Sequence, residues 1–478
     1  METKPQPAVS NEPLYHEKYR NQFHFSPKTG WMNDINGVWY AAGRYHLTYQ
    51  ADPDHRRCER THWGHAVSAD LLHWEQKEPV ITPGRQSRGM AWSGTAVVDV
   101  NNTAGYGPGA VFLFFTDTER GQCMLYSTDA GEHFTEYPEN PVIPPAGLDD
   151  PARLIRDQRD PKVFWNGETG QWVMMLFCDK VRRGDEQLRT MQFYTSADLK
   201  HWVRKQDFQN EKFYECPDVF PLPLDGNPED VRWVFQSAST YYCLGRFDGE
   251  RLAVEELPGE QLCHGPDIYA GQSFANMPDG RVVTMYWLDN WHGSTVPTSP
   301  WVNSASFPSE LHLKTFPEGI RVTRSPIPEI AQLYLGEGER RYGRTASARV
   351  NPLAGLHARC FDLTVELDTR DTGVQEVLFD LMGKQYRYTF RDGTLRTWYE
   401  DKREGRIKTA AFACYPSGSR LKLRFLVDAD CVEIFVNDGR RSYAEEYGFS
   451  GVSEMLSLTA DGDLPVPYIE FHEIRSIW

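Results

Sequence analysis

Short runs rich in Val, Tyr, Phe and Trp recur along almost the whole chain, as in residues 37–40, 44–49, 110–115, 171–177 and 281–287, punctuated by Gly, Asp, Asn and Pro. Apolar runs of that length between turn formers predict strands, so the chain is expected to be all-β. A helical pattern is confined to one short stretch, 328–335. Beyond Arg324 the alternation becomes cleaner, in residues 360–367, 420–426 and 431–436. One apolar and one polar face per strand predicts two packed sheets, and Asn437-Asp438-Gly439 predicts a hairpin turn. The expected organisation is a large β domain over 1–325, a linker with a short helix over 326–345 and a C-terminal β-sandwich over 346–478.

An internal repeat runs through the large domain. Ser68-Ala-Asp70-Leu-Leu-His73-Trp74 recurs as Ser196-Ala-Asp198-Leu-Lys-His201-Trp202, with a looser copy from Ser127 through Asp129 and His133 to Phe134. Each copy stands between two strand-like runs. A β unit repeated every ~40–70 residues predicts propeller blades. The Ser and Asp are expected to close a turn through side-chain hydrogen bonds, and the Trp or Phe to pack between sheets. His65 and His73 read as structural hydrogen-bonding residues.

Composition narrows the function. The 478 residues suit a large domain plus a smaller one. The net charge of −16 (51 basic, 67 acidic residues) argues against a nucleic-acid partner, which needs Lys and Arg to neutralise phosphates. The pairs Arg56-Arg57, Arg182-Arg183 and Arg440-Arg441 are too short to form a binding stripe. No apolar run approaches the ~20 residues that span a bilayer, so no membrane partner is expected. The first 13 residues are polar and lack the apolar core of a signal peptide. The nine cysteines are scattered with no C-x-x-C pair, which argues against zinc and against a dense disulfide framework. Together these features predict a cytoplasmic location, with secretion after loss of a leader as the alternative. Aromatic residues make up 13% of the chain, a richness that suits a β core or the flat C–H faces of sugar rings.

Three acids sit in unusual surroundings. Asp34 lies in Gly30-Trp-Met-Asn33-Asp34-Ile-Asn36-Gly37, where apolar neighbours would desolvate it, Asn33 and Asn36 could bond to it, and Gly37 would permit a tight turn. Asp160 lies in Arg159-Asp160-Pro161, where the neighbouring Arg is expected to keep it ionised. Glu215 lies in Phe213-Tyr-Glu215-Cys216-Pro-Asp218, where burial would raise its pKa as a general acid needs. Cys216 is expected to tune that environment rather than attack. Taken singly, each segment reads more readily as a turn or a strand edge than as a site.

Together, in this order, the three segments resemble the signatures of glycoside hydrolase family 32, the invertase, inulinase and levanase family. Supporting matches are Phe23-His24-Phe25, residues 63–68, Trp92-Ser93-Gly-Thr95, Phe247-Asp-Gly249 and residues 432–439. The resemblance runs from about Tyr19 to the end, and residues 93–103 look closest to the exo-inulinase and levanase branch. It implies a five-bladed β-propeller followed by a β-sandwich, and a retaining β-fructofuranosidase acting on sucrose or fructans. Asp34 would attack the anomeric carbon, Glu215 would act as acid and then base, and Asp160 would bind ring hydroxyls. Asn33, Gln50, Trp63, Trp92, Ser93, Arg159 and Trp287 match positions that line the fructose pocket. No metal or other cofactor is implied.

Two positions depart from the pattern. Ile35 replaces a usual Pro, which restores a donor and frees φ beside the nucleophile. Cys58 stands where many members carry a pocket-lining Trp, within an unusually charged loop, 53–60. Both leave a fructosyltransferase open as the alternative activity, and a non-catalytic sugar-binding propeller is the third reading. Monomer and homodimer are both compatible with the sequence.

Overall fold

The computed structural model describes residues 13–145, 157–183, 186–257, 259, 261–288, 296–370, 373–401, 404–448 and 455–478. The polar N-terminal segment before Pro13 and the side chains of Arg182 and Arg183 lie outside the described residues. Almost every element is a strand. The predicted helical stretch is a single 3-10 turn, Pro328–Leu333, which buries Ile330 and Leu333. Among the described residues no helix is long and apolar enough to cross a membrane.

Five antiparallel sheets follow one another along the chain. Their first strands are Gly30–Ala41, Ala91–Asp99, Asp157–Asn166, Asp218–Pro223 and Ile268–Ser273. Each of these touches the first strand of the next sheet, and the fifth touches the first. Trp301–Val302 closes the first sheet by pairing in parallel with Gly30 and Trp31. Four of these first strands, those beginning at Gly30, Ala91, Asp218 and Ile268, are buried along most of their length, polar residues included. Gly37 serves a different purpose from the tight turn expected of it. It lies mid-strand, where a Cβ would stand 2.9 Å from that of Ala96 in the second sheet. Close approach of two inner strands requires the glycine.

The repeated Ser and Asp close their turns as predicted. Asp70 accepts from the backbone N–H groups of Leu72 and His73, both at 2.9 Å, and Ser68 Oγ donates to its Oδ1 at 3.0 Å. Asp198 and Ser196 repeat the pattern, and so do Asp129 and Ser127. The aromatic residue that follows bridges sheets: Phe134 meets Trp39 edge-on and Trp202 meets Phe114 edge-on, with centroids 5.9 and 5.8 Å apart. His65 bonds His46 at 3.0 Å and stacks on Trp39, while His73 bonds Asp70. Burial holds the pKa of His65 down at about 3.

The C-terminal region packs a seven-stranded sheet against a five-stranded one over a single apolar core. Asn437, Asp438 and Gly439 make the predicted turn, all three in the left-handed region (φ 47°, 57° and 87°). That turn leans on the large domain: Arg324 N–H donates to the Gly439 carbonyl at 3.0 Å. Cys263–His264 adds a short parallel strand beside Arg441–Glu446, which covers a sheet edge.

A buried charge cluster joins the two regions. His24 bonds Asp428 Oδ2 through Nδ1 at 2.9 Å and Glu433 Oε1 through Nε2 at 3.1 Å. Asp428 also accepts the backbone N–H groups of Gln22, Phe23 and His24. Glu433 pairs with Arg324 and accepts the Phe307 N–H at 2.6 Å. Burial lowers the pKa of His24, but its hydrogen bonds to both carboxylates, with their charges, outweigh it and hold it at about 9. Burial raises the pKa of Glu433, but the Arg324 charge and His24 outweigh it and hold it at about 2. The Phe23-His24-Phe25 motif and the 432–439 segment therefore share one structural task, fastening the sandwich to the large domain.

Candidate active site

The three acids meet where the first strands converge. They line one cavity of about 280 Å3 with Asn33, Gln50, Cys58, Thr61, Trp92 and Arg159. Strand irregularities aim them. Pairing between Gly30–Ala41 and Arg44–Asp52 shifts register between Met32 and Ile35, around Asp34. It shifts between Trp92 and Gly94, around Ser93, and opposite Asp160 and Pro161 in the third sheet. An extra residue in one strand turns a side chain out of the alternation, a common device beside active sites. Asp160 (φ 61°) and Glu215 (φ 48°) both adopt the left-handed backbone that non-glycine residues avoid. Ile35 keeps the strand going, buried and paired with Tyr49.

A directed relay of hydrogen bonds ends on Asp34. Trp31 Nε1 donates to Asn33 Oδ1 at 2.8 Å, Asn33 Nδ2 to Gln50 Oε1 at 2.9 Å, and Gln50 Nε2 to Ser93 Oγ. Ser93 Oγ then donates to Asp34 Oδ2 at 2.6 Å. An indole N–H only donates and a carboxylate only accepts, so the polarity of the chain is fixed from both ends. The other oxygen, Asp34 Oδ1, is buried with no partner at hydrogen-bonding geometry among the described residues. Burial raises the pKa of Asp34, and the Ser93 hydrogen bond opposes the rise. Asn36, with its amide turned to satisfy its neighbours, donates to Ser93 Oγ at 3.2 Å and accepts from Trp63 Nε1 at 3.0 Å.

Arg159 divides its attention unequally. Its guanidinium pairs with Glu215 Oε1, while its Nε stands 3.6 Å from Asp160 Oδ2. It also lies 4.9 Å from the centre of the Phe177 ring. Tyr269 Oη donates to the second oxygen of Glu215 at 2.7 Å. Glu215 is thus held by one cation and one hydroxyl, rather than standing among apolar groups alone. Asp160 was expected to stay ionised beside Arg159, and here the geometry reverses the expectation. Burial pushes its pKa up to about 7; Arg159 opposes, and the charges of Glu215 and Asp34 add to the rise.

Cys216 sits between the acids. Its Sγ is 3.3 Å from Asp34 Oδ2 and 3.6 Å from Asp160 Oδ2, and its N–H donates to Asp160 Oδ2 at 3.1 Å. Burial keeps its thiol pKa well above the usual value, so it acts as a donor and not as a nucleophile. Behind the acids, Lys162 Nζ pairs with Asp218 Oδ1 at 2.6 Å and bonds Gln272 Oε1 at 3.0 Å, while Ser273 N–H donates to Asp218 Oδ2 at 2.9 Å. This buried pair ties the third, fourth and fifth sheets together, two residues after Asp160 and three after Glu215.

Seven of the ten residues singled out in the sequence line the cavity: Asn33, Asp34, Gln50, Trp92, Arg159, Asp160 and Glu215. Ser93, Trp63 and Trp287 stand behind its wall. Trp63 is fully buried and donates to the Trp92 carbonyl at 3.1 Å; Trp287 is fully buried against Trp31 and Tyr269. Sequence reasoning missed Tyr269, Lys162 and Thr61. Tyr269 and Lys162 sit in apolar strand runs with no local mark, and only the pairing of distant sheets gives them their partners. The charged loop 53–60 is braced from below: Asp52 accepts the N–H groups of Glu59 and Arg60, and Arg56 donates to the Thr298 carbonyl at 2.6 Å. Cys58 faces the cavity from this loop, its Sγ 3.2 Å from Thr61 Oγ1.

Comparison with known proteins places this arrangement. Residues 24–326 match the glycosyl hydrolases family 32 N-terminal domain, and residues 336–447 match the family 32 C-terminal domain. The chain is 35% identical over 509 residues to a levanase of Bacillus subtilis (strain 168), covering 98% of this chain and 72% of that protein. It is 28% identical to an extracellular exo-inulinase of Aspergillus niger, covering 97% and 96%. The crystal structure of an exo-inulinase from Aspergillus awamori superposes with a TM-score of 0.84 at 25% identity, over 97% of this chain and all of that one. The chain belongs to family 32 of the glycosyl hydrolases and is a glycoside hydrolase.

Proposed function

We propose that this enzyme is a retaining β-fructofuranosidase that removes terminal fructosyl units from fructans and sucrose, and that its five successive sheets form a closed five-bladed propeller around the site. The observation that carries the reading is a pair of acids on one cavity: Asp34, one oxygen of which accepts from Ser93, lines the same cavity as Glu215. Two carboxyl groups flanking one bond are what glycoside hydrolysis requires, and a retaining pair works at a separation of ~5–5.5 Å. Glu215, steadied by Arg159 and Tyr269, would protonate the leaving oxygen and later deprotonate water. Asp160 would bind ring hydroxyls. With a pKa of about 7 it carries a proton below that pH and can donate as well as accept.

Support for fructosyl substrates comes from the levanase and exo-inulinase similarity, and the cavity volume suits one sugar unit at the acids. The test is a product profile on sucrose, inulin and levan at low and high concentration, with anomeric configuration read by NMR at early times. Release of free β-fructose, falling off above about pH 7 as Asp160 ionises beside the group that must hold a proton, is the expected result. Inverted product, or no fructose from any of the three, would sink the reading. Longer oligosaccharides rising with sucrose concentration would make the enzyme a transferase, and would direct mutagenesis to Cys58 and Ile35.

A further inference from the structure

Glu215 is tied at both ends to one peptide unit of a neighbouring hairpin. The turn 237–240 joins strands Val231–Gln236 and Tyr242–Phe247 of the fourth sheet. Its Ala238 N–H donates to the carbonyls of Tyr214 and Glu215, both at 3.2 Å. The Ala238 carbonyl accepts the Ala270 N–H at 2.9 Å. Ala270 follows Tyr269, whose hydroxyl holds the Glu215 carboxyl at 2.7 Å. The place of Ala238 therefore sets both the backbone of Glu215 and the group that steadies its side chain. Glu215 (φ 48°), Cys216 (φ 32°) and Ala270 (φ 44°) are all left-handed. Residues other than glycine hold that conformation only where their surroundings over-determine it.

Thr240 fixes the turn. It is fully buried and itself left-handed, at φ 63°, an outlier for a β-branched side chain. Its hydroxyl donates to the Cys263 carbonyl at 2.8 Å and accepts the Cys263 N–H at 3.3 Å. Its own carbonyl accepts the Leu262 N–H at 2.9 Å. Cys263 and His264 belong to the seven-stranded sheet of the sandwich, where they pair with Ser442 and Tyr443. Ser442 Oγ also donates to the Leu262 carbonyl at 3.2 Å. A second tie runs alongside: Glu446 N–H donates to Asp267 Oδ2 at 2.8 Å, two residues before Tyr269. A continuous path of hydrogen bonds and peptide units thus leads from the sandwich strand Arg441–Glu446 through Thr240 and Ala238 to Glu215. We infer that Thr240 is a positioning residue for the general acid, and that the sandwich takes part in setting Glu215 through it. The inference rests on the assignment of Glu215 as that acid.

Contiguity alone does not establish coupling, so the measurement has to report on proton donation. The full chain is compared with Thr240→Gly, Thr240→Ser, Ser442→Ala and Glu215→Ala on sucrose and on p-nitrophenyl β-D-fructofuranoside. Nitrophenolate departs with little help from an acid, whereas the leaving oxygen of sucrose needs a proton. Glycine accepts the left-handed backbone without the hydroxyl, and serine keeps the hydroxyl. In Thr240→Gly, kcat/KM on sucrose is expected to fall about tenfold. The aryl substrate should stay within about twofold of wild type, and Thr240→Ser should restore sucrose cleavage. Ser442→Ala alters the sandwich side alone and should show the same selective loss, about twofold to threefold. It also decides the matter if Thr240→Gly does not fold. Equal losses on the two substrates, or wild-type sucrose cleavage in both Thr240→Gly and Ser442→Ala, overturn the inference. Glu215→Ala is the reference and should lose sucrose while keeping the aryl substrate. If it does not, the acid assignment itself fails. If it does while Thr240→Gly and Ser442→Ala match wild type, only the positioning role fails.

Discussion

Two clusters of buried carboxylates in this molecule treat charge in different ways. At the seam between the large domain and the sandwich, Glu433 and Asp428 face His24 and Arg324, and Glu433 is held down at about 2. Where the five first strands converge, Arg159 pairs with Glu215, and Asp160 beside it stays raised to about 7 by burial. Glu433 and Asp428 are matched by His24 and Arg324, while burial and the Asp428 charge raise the pKa of Asp430 beside them. Burial without a full set of opposite charges keeps the proton affinity of Asp34 and Asp160 high, a property that active-site acids share. Lys162 and Asp218 stand between the two cases: a matched pair, two residues after Asp160 and three after Glu215.

The contrast can be broken by exchanging the consequences of mutation. Asp34→Asn is expected to reduce kcat about 10⁴-fold or more, with the thermal midpoint retained or raised because an under-compensated buried charge is removed. Glu433→Gln should do the reverse, costing about 3–5 kcal/mol of stability because Arg324 and His24 lose their partner, with kcat per folded molecule unchanged. Calorimetry and active-site titration read both arms, and loss of activity without loss of stability in Glu433→Gln would break the distinction. Lys162→Met should show both effects together, with stability down by about 3 kcal/mol as Asp218 is left unpaired and kcat down about tenfold as the acid-bearing turns shift. A kcat at the wild-type level in that variant would remove Lys162–Asp218 from the positioning of the site.

The seam also has a pH signature. The folded pKa of His24, about 9, lies above its ordinary value of 6.5. The stability it confers is therefore fully present below pH 6.5 and is lost as pH rises through 9, a difference of about 3 kcal/mol at most. Wild type should lose thermal stability over that window, and His24→Gln should lose much less. Parallel pH profiles for the two proteins would remove His24 from the fastening. The smallest effect belongs to Tyr269→Phe, which deletes one hydrogen bond to a charged group: about 1.5 kcal/mol, or roughly tenfold in kcat/KM. It should also displace one limb of the pH–rate profile, which a purely structural tyrosine would leave in place.

Much of this was legible from the residues. Turn chemistry is local, so the Ser-x-Asp repeat, the Asn437-Asp438-Gly439 hairpin and the strand runs announced themselves. The three acids were marked by their immediate neighbours. What neighbours could not convey was the state of those acids. Arg159 adjoins Asp160 in the chain, yet a left-handed turn at Asp160 and a shifted register send its guanidinium to Glu215. Gly37 looked like a turn residue, because a glycine that permits a turn and one that permits close strand packing are the same in sequence.

By itself, then, the sequence determined the all-β class, the repeated unit, the family and the acids, because strand periodicity, turn residues and short motifs act over a few residues. Only the tertiary structure decided which carboxylate is paired and which of the predicted pocket residues stand behind the wall. Those properties depend on burial and on charges carried by sheets that are far apart in the chain. Electrostatic energy is set by distance and solvent access, and both exist only once the chain has closed.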